Sequence, residues 1–163
     1  MIIFLDTEFT GFSSRELISL ALVPEVGGSE CYLEVSDFDR SLCDQFVTSM
    51  VLPQLGHTPG VMCTWNEAHI RVVSWLRSLD VPYQIGSDSE NDFWILRELV
   101  TKKGSEAAYG ALCGAWLNLG SVGIRSLAIE NTAQLFNVID EGAHNALADA
   151  RALRATWLRE GRQ

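Results

Sequence analysis

The chain has 163 residues, 47% of them apolar and 20% charged. These proportions fit one globular domain over residues 1–163 and exclude a disordered, collagen-like or disulfide-dense chain. No run approaches about eighteen apolar residues, so no membrane-spanning helix is expected. The apolar start, Met1 to Leu5, runs straight into Asp6, too short a stretch for a secretory leader, and a cytoplasmic protein is the expectation. Twenty-one acids against twelve bases give a net charge of −9. Such an excess disfavours long phosphate polymers, unless clustered carboxylates hold divalent cations that meet the phosphate. The cysteines, Cys31, Cys43, Cys63 and Cys113, show no C-x-x-C spacing and read as reduced, mostly buried thiols.

In chain order, residues 2–6 (IIFLD) form an apolar, β-branched run that predicts a strand. Residues 16–24 (ELISLALVP) predict a second, closed by Pro24 and the Gly27-Gly28 turn, and residues 31–35 (CYLEV) a third. Their short, turn-rich links predict an antiparallel meander. From Asp39 to about Leu52, the residues Leu42, Phe46, Val47 and Met50 make a helical stripe, stopped by Pro53. Thr64 to Glu67 is a capping box for a helix carrying Ile70, Val73, Leu76 and Leu79. Val81 to Gly86 predicts a short strand, and Ser87 to Glu90 a second helix start. The glycine-rich stretch 104–123 hides a strand within ALCGAWLNL. Helices are expected over 126–136 and over 145–159, the latter Ala- and Leu-rich with arginines toward its end. A meander followed by alternating helices and strands predicts an α/β fold, with a mixed central sheet flanked by helices.

Asp6 and Glu8 lie two apart at the end of the first strand and so share a face. Side by side, they repel unless a proton or cation intervenes. Asp149 falls at the rim of the buried face of the last helix, beside Ala146 and Leu153. An acid there needs a partner, either a base such as Arg151 or Arg154 or a shared site. On one continuous helix His144 and Asp149 would point about 140° apart; a His144 just before the helix, in a loop favoured by Gly142, escapes that restriction and is suited to taking a proton near neutral pH. Asp92 opens the second helix, where the dipole favours an acid; Asp88 and Glu90 are alternatives in the same turn.

The order of these groups is D-x-E on the first strand, an acid at a mid-chain strand-to-helix junction, and H-x4-D on the last helix. It resembles that of the DEDDh (DnaQ-like) 3′–5′ exonucleases of the ribonuclease H-like superfamily. The matching segments are FLDTEFTG (4–11), IGSDSENDFWIL (85–96) and HNALADARAL (144–153), and the chain is similar in size to compact stand-alone bacterial exoribonucleases. It departs from the family in having Asp88 where Asn is usual, Asn91 where an aromatic or aliphatic residue is usual, and DTEFTG in place of D-T-E-T-T-G. The resemblance implies a ribonuclease H-like fold in which Asp6, Glu8, Asp92 and Asp149 bind two ions of Mg²⁺ or Mn²⁺, Asp88 being the rival to Asp92, with His144 as general base. It implies stepwise hydrolysis from the 3′ end of single-stranded RNA or short oligonucleotides, releasing nucleoside 5′-monophosphates. Glu8, Phe9, Thr10, Gly11, Phe12, Trp94 and His144 would contact the terminal nucleotides, Phe12 by stacking on a base or else as a core residue. Single-stranded DNA as substrate, a silent nucleic-acid-binding module, and a phosphatase acting on mononucleotides are the competing readings. Trp65, Trp75, Trp116 and Trp157 read as core or interface, the latter compatible with a homodimer, and His57 and His69 as surface residues.

Overall fold

The structure is a computed structural model and describes residues 1–101, 110–120 and 144–160. Among these residues six strands, β1 (Ile2–Phe9), β2 (Leu17–Pro24), β3 (Cys31–Val35), β4 (Met62–Cys63), β5 (Gln84–Ser87) and β6 (Ala115–Asn118), form one sheet. They lie in the order β4-β3-β2-β1-β5-β6. The first three are the expected antiparallel meander. The other three join in parallel, β4 on β3, β5 on β1 and β6 on β5. With helices α1 (Trp65–Arg77), α2 (Glu90–Thr101) and α3 (Ala146–Glu160), the fold is α/β with a mixed sheet flanked by helices.

The alternation of β1 divides the core. Its odd residues Ile3 and Leu5 pack with Leu20, Leu22 and Leu33 beneath Val72 and Leu76 of α1 and Leu96 and Leu99 of α2. Its even residues Ile2 and Phe4 meet Ala21, Val23 and the Ala146, Ala150 and Leu153 face of α3. Strand β2 is buried along its whole length, because helices or loops cover both of its faces; its near-continuous apolar run follows from that. Small residues on α3 let the helix sit close to the sheet. Helix α1 begins at the expected capping box, with Thr64 accepting from the Glu67 amide and Glu67 returning to the Thr64 amide.

Several expectations change. The segment after Asp39 is not one α-helix: Arg40–Leu42 and Leu52–Gln54 are 3₁₀ turns, and Val47–Val51 is a π-helical turn. Its buried side chains are Val47 and Val51, against Ile18, while Leu42, Phe46 and Met50 face outward. The wide π turn shifts the stripe from 3.6-residue spacing. Pro53 lies inside the last 3₁₀ turn, where its fixed φ is tolerated. Strand β5 starts at Gln84 instead of Val81, since Pro82 has no N–H for a ladder and Val81 is exposed. The two-residue β4 is too short to leave a periodic signal. The helix expected over 126–136 lies outside the described residues. No helix among the described residues is long and apolar enough to cross a membrane, and all four cysteines are free thiols.

Since the contact of α3 with the sheet depends on small side chains, Ala150→Leu should overpack it. The expected cost is about 1–3 kcal/mol, read as a thermal midpoint lowered by several degrees in a calorimetric scan.

Candidate functional site

Strand β1 outruns the helix that covers it. Ile2 and Phe4 lie under α3, whereas Asp6 and Glu8, next on the same face, emerge at the helix N-terminus. Asp149 stands in the first turn of α3, on the side that carries Ala146, Ala150 and Leu153 to the sheet. Strand β5 runs beside β1 and leads directly into α2, whose first turn brings Asp92 to the same place. Asp92 is only 3% exposed and accepts a 2.7 Å hydrogen bond from the Thr7 hydroxyl. Thr7 lies between Asp6 and Glu8 on the opposite face of β1, so the D-T-E run contributes all three side chains to the site.

The ligand atoms fall into two groups, Asp6 with Asp88 and Asp92, and Glu8 with His144 and Asp149, each with its atoms within 4.8 Å of one another. Asp88 and Asp92 are therefore not alternatives in space, since both reach Asp6. Burial, then the charges of Asp92, Asp149, Glu8 and Asp88, hold the Asp6 carboxyl well above its ordinary range. Burial, then Asp149 and Asp92, push Glu8 up to about 8. Asp149 rises to about 6, through burial first and Asp88 last, partly offset by the amide hydrogen bond it accepts from His144. Oxygen-rich and short of positive charge, the donor set has the chemistry that hard divalent cations take.

His144 lies just before α3, so the restriction of a continuous helix does not apply. Its backbone is left-handed, with φ +67°. Its N–H donates to Asp149 Oδ2 at 3.1 Å, and its carbonyl accepts from Gln54 Nε2 at 3.3 Å. The imidazole meets the edge of Phe46 with ring centroids 4.7 Å apart. Asn145 supplies the helix cap, its Oδ1 accepting from the Leu147 and Ala148 amides. The bases that might have paired with Asp149 are engaged elsewhere: Arg151 with Glu30 at 2.7 Å and Arg154 with the Glu25 carbonyl.

Beyond Glu8 the chain turns sharply. Thr10 is fully buried; its hydroxyl pairs with Ser14 and accepts from the Glu16 amide, and its own N–H and C=O bond Glu16 and Asp44, so it offers no open surface. Gly11 has φ +145°, and a Cβ there would sit 3.2 Å from Asp44 Oδ2. Phe12 is 75% exposed, with its ring edge against the half-buried Phe9 at 5.5 Å, so it is no core residue. Trp94 is 46% exposed, bonded to Glu90, with the Arg97 guanidinium 5.3 Å over its ring. Trp65, Trp75 and Trp116 pack on the larger core and Trp157 on the smaller. His69 is not a simple surface residue: its Nδ1 lies 2.8 Å from the Leu99 carbonyl, tying α1 to α2. His57 is exposed, as expected. A cavity of about 300 Å³ on the α1–α2 side, lined by Arg15, Asp37, Phe38, Trp65 and Glu98 among others, touches none of the clustered acids.

No protein-family model matches the chain, and no curated protein matches it.

The raised carboxyls fix a sign. A folded-state pKa above the unfolded value means that the folded state binds protons more tightly, so the contribution to stability is full below the unfolded pKa and lost as pH rises through the folded one. For Glu8 that window runs from about 4.5 to about 8. The metal-free protein should lose thermal stability across it. Glu8→Gln should flatten the loss, raising the midpoint at the alkaline end by several degrees and changing it little at the acid end, as read by a pH series of melting curves.

Proposed function

We propose that the protein is a metal-dependent 3′–5′ exonuclease of the DEDDh type on a ribonuclease H-like fold, hydrolysing single-stranded RNA or short oligonucleotides to nucleoside 5′-monophosphates. One observation carries the reading: Asp6, Glu8, Asp92, Asp149 and His144, from three distant segments, converge at the open end of β1. The mixed sheet flanked by helices is compatible with that fold.

Asp6, Glu8, Asp92 and Asp149 would hold Mg²⁺ or Mn²⁺, with Asp88 adding a fifth carboxylate. Bound there, the ions would neutralise the scissile phosphate and make water a better nucleophile at neutral pH. The chain's own groups do the rest. Before catalysis, the acids keep one another from ionising fully, and a cation bound among them would relieve that repulsion. His144 is placed beside Glu8 and Asp149 to accept a proton from the attacking water. Phe12 offers an open aromatic face for a terminal base, an interaction worth about 1–3 kcal/mol. The buried Thr10-Gly11 turn, tightened by internal hydrogen bonds, fixes the chain from which Phe12 projects. Free thiols suit a reducing compartment, and the acidic surface suits short substrates that are gripped locally.

The test is a gel of 5′-labelled single-stranded RNA and DNA of one sequence, with Mg²⁺, Mn²⁺ or EDTA. A ladder growing from the 3′ end of RNA, absent with EDTA and with Asp6→Ala, is expected. An equal or stronger ladder on DNA would move the reading to a deoxyribonuclease, release of inorganic phosphate from mononucleotides would move it to a phosphatase, and intact substrate in every lane would overturn it. His144→Asn should slow turnover by about 10²–10⁴-fold while leaving Mn²⁺ binding measurable by calorimetry.

A further inference from the structure

Glu34 is a carboxylate on β3, between β2 and the short β4, and only 1% exposed. A carboxylate so placed is costly unless its oxygens are bonded, and both are. Oε1 accepts from the Tyr32 hydroxyl at 2.9 Å, and Oε2 accepts from the Gly56 amide at 2.7 Å. Tyr32 and Glu34 lie two apart on β3, opposite Ala21 and Ser19 of β2. They therefore line the sheet face that carries Asp6 and Glu8.

Both bonds lead to His144. Having given its proton to Glu34, the Tyr32 oxygen is an acceptor for Asn145 Nδ2, at 3.4 Å. Asn145 is the cap of α3 and the neighbour of His144. From the other side, Gly56 fixes the end of the turn in which Gln54 reaches the His144 carbonyl at 3.3 Å and the Met50 carbonyl at 2.8 Å. A left-handed backbone at a non-glycine residue is uncommon and persists where its surroundings hold it. Here the two loops that hold it are fastened to the same buried carboxylate. An apolar side chain at position 34 would fill the space but would bind neither loop.

We propose that Glu34 and Tyr32 are positioning residues that set the His144 imidazole over Glu8 and Asp149, acting through Asn145 on one side and Gly56 and Gln54 on the other. The catalytic meaning of that position rests on the nuclease reading; the positioning itself does not.

Tyr32→Phe removes one hydroxyl and keeps the ring that packs against the smaller core. The chain has three histidines, so ¹⁵N-imidazole spectra resolve them, with His144→Asn assigning the third. In Tyr32→Phe the His144 ring signals should shift or broaden while those of His57 and His69 stay in place, which also reports that the fold is intact. In the RNA assay the same variant should lose about tenfold or more in kcat with KM little changed. Asn145→Ser, which keeps a capping oxygen but loses the amide donor, should behave alike and serves if Tyr32→Phe does not fold. An unmoved His144 signal in the folded variant overturns the inference, whatever the enzyme does. A wild-type protein that cleaves no RNA overturns the nuclease reading instead, and the imidazole spectra still decide the positioning.

Discussion

Carboxylates that share a small, partly dehydrated volume raise one another's energy, and five of them do so at the end of β1. That cost is borne by the two-sided core that fixes β1 and, at close range, by the Thr7 hydroxyl that bonds Asp92 and the His144 amide that bonds Asp149. The fold thus maintains an electrostatic debt at one point and stability elsewhere.

The parity of a single strand organises this division. Odd residues of β1 anchor α1 and α2, and even residues anchor α3 before giving way to Asp6 and Glu8. A shift of register by one residue would send both acids under α2 and put Leu5 and Thr7 at the mouth. The antiparallel pairing with β2 and the parallel pairing with β5 both resist such a slip. Placement of Asp6 and Glu8 is therefore a property of the whole sheet and not of β1 alone.

Where sequence reading succeeded, the signals were strong and local. The meander, the Thr64–Glu67 box, α2 and α3 all follow from short patterns, and the D-x-E, Asp92 and H-x4-D groups do come together. The segment 39–54 misled because its apolar residues fit helical spacing while the backbone winds as a π turn between two 3₁₀ turns, a choice made by packing of Val47 and Val51 on Ile18. His69 misled because a carbonyl on another helix, which has no sequence signature, engages its ring. Asp88 and Asp92 looked exclusive because they were weighed as positions on one turn, whereas both lie within reach of Asp6. Glu34 did leave a trace, an acid inside an otherwise apolar strand, but its meaning depends on Gly56 and Asn145, respectively 22 and 111 positions away.

The left-handed turn at His144 has a consequence for anyone improving the protein. Glycine adopts that conformation without the steric conflict that a histidine Cβ incurs. A screen that rewards only heat resistance or expression would thus favour glycine here, and for a parallel reason amides in place of the clustered acids. Its winners would be sturdier chains stripped of the imidazole and of the charges. Directed evolution of this scaffold needs a selection that scores the site together with the stability, because at this residue the two pull in opposite directions.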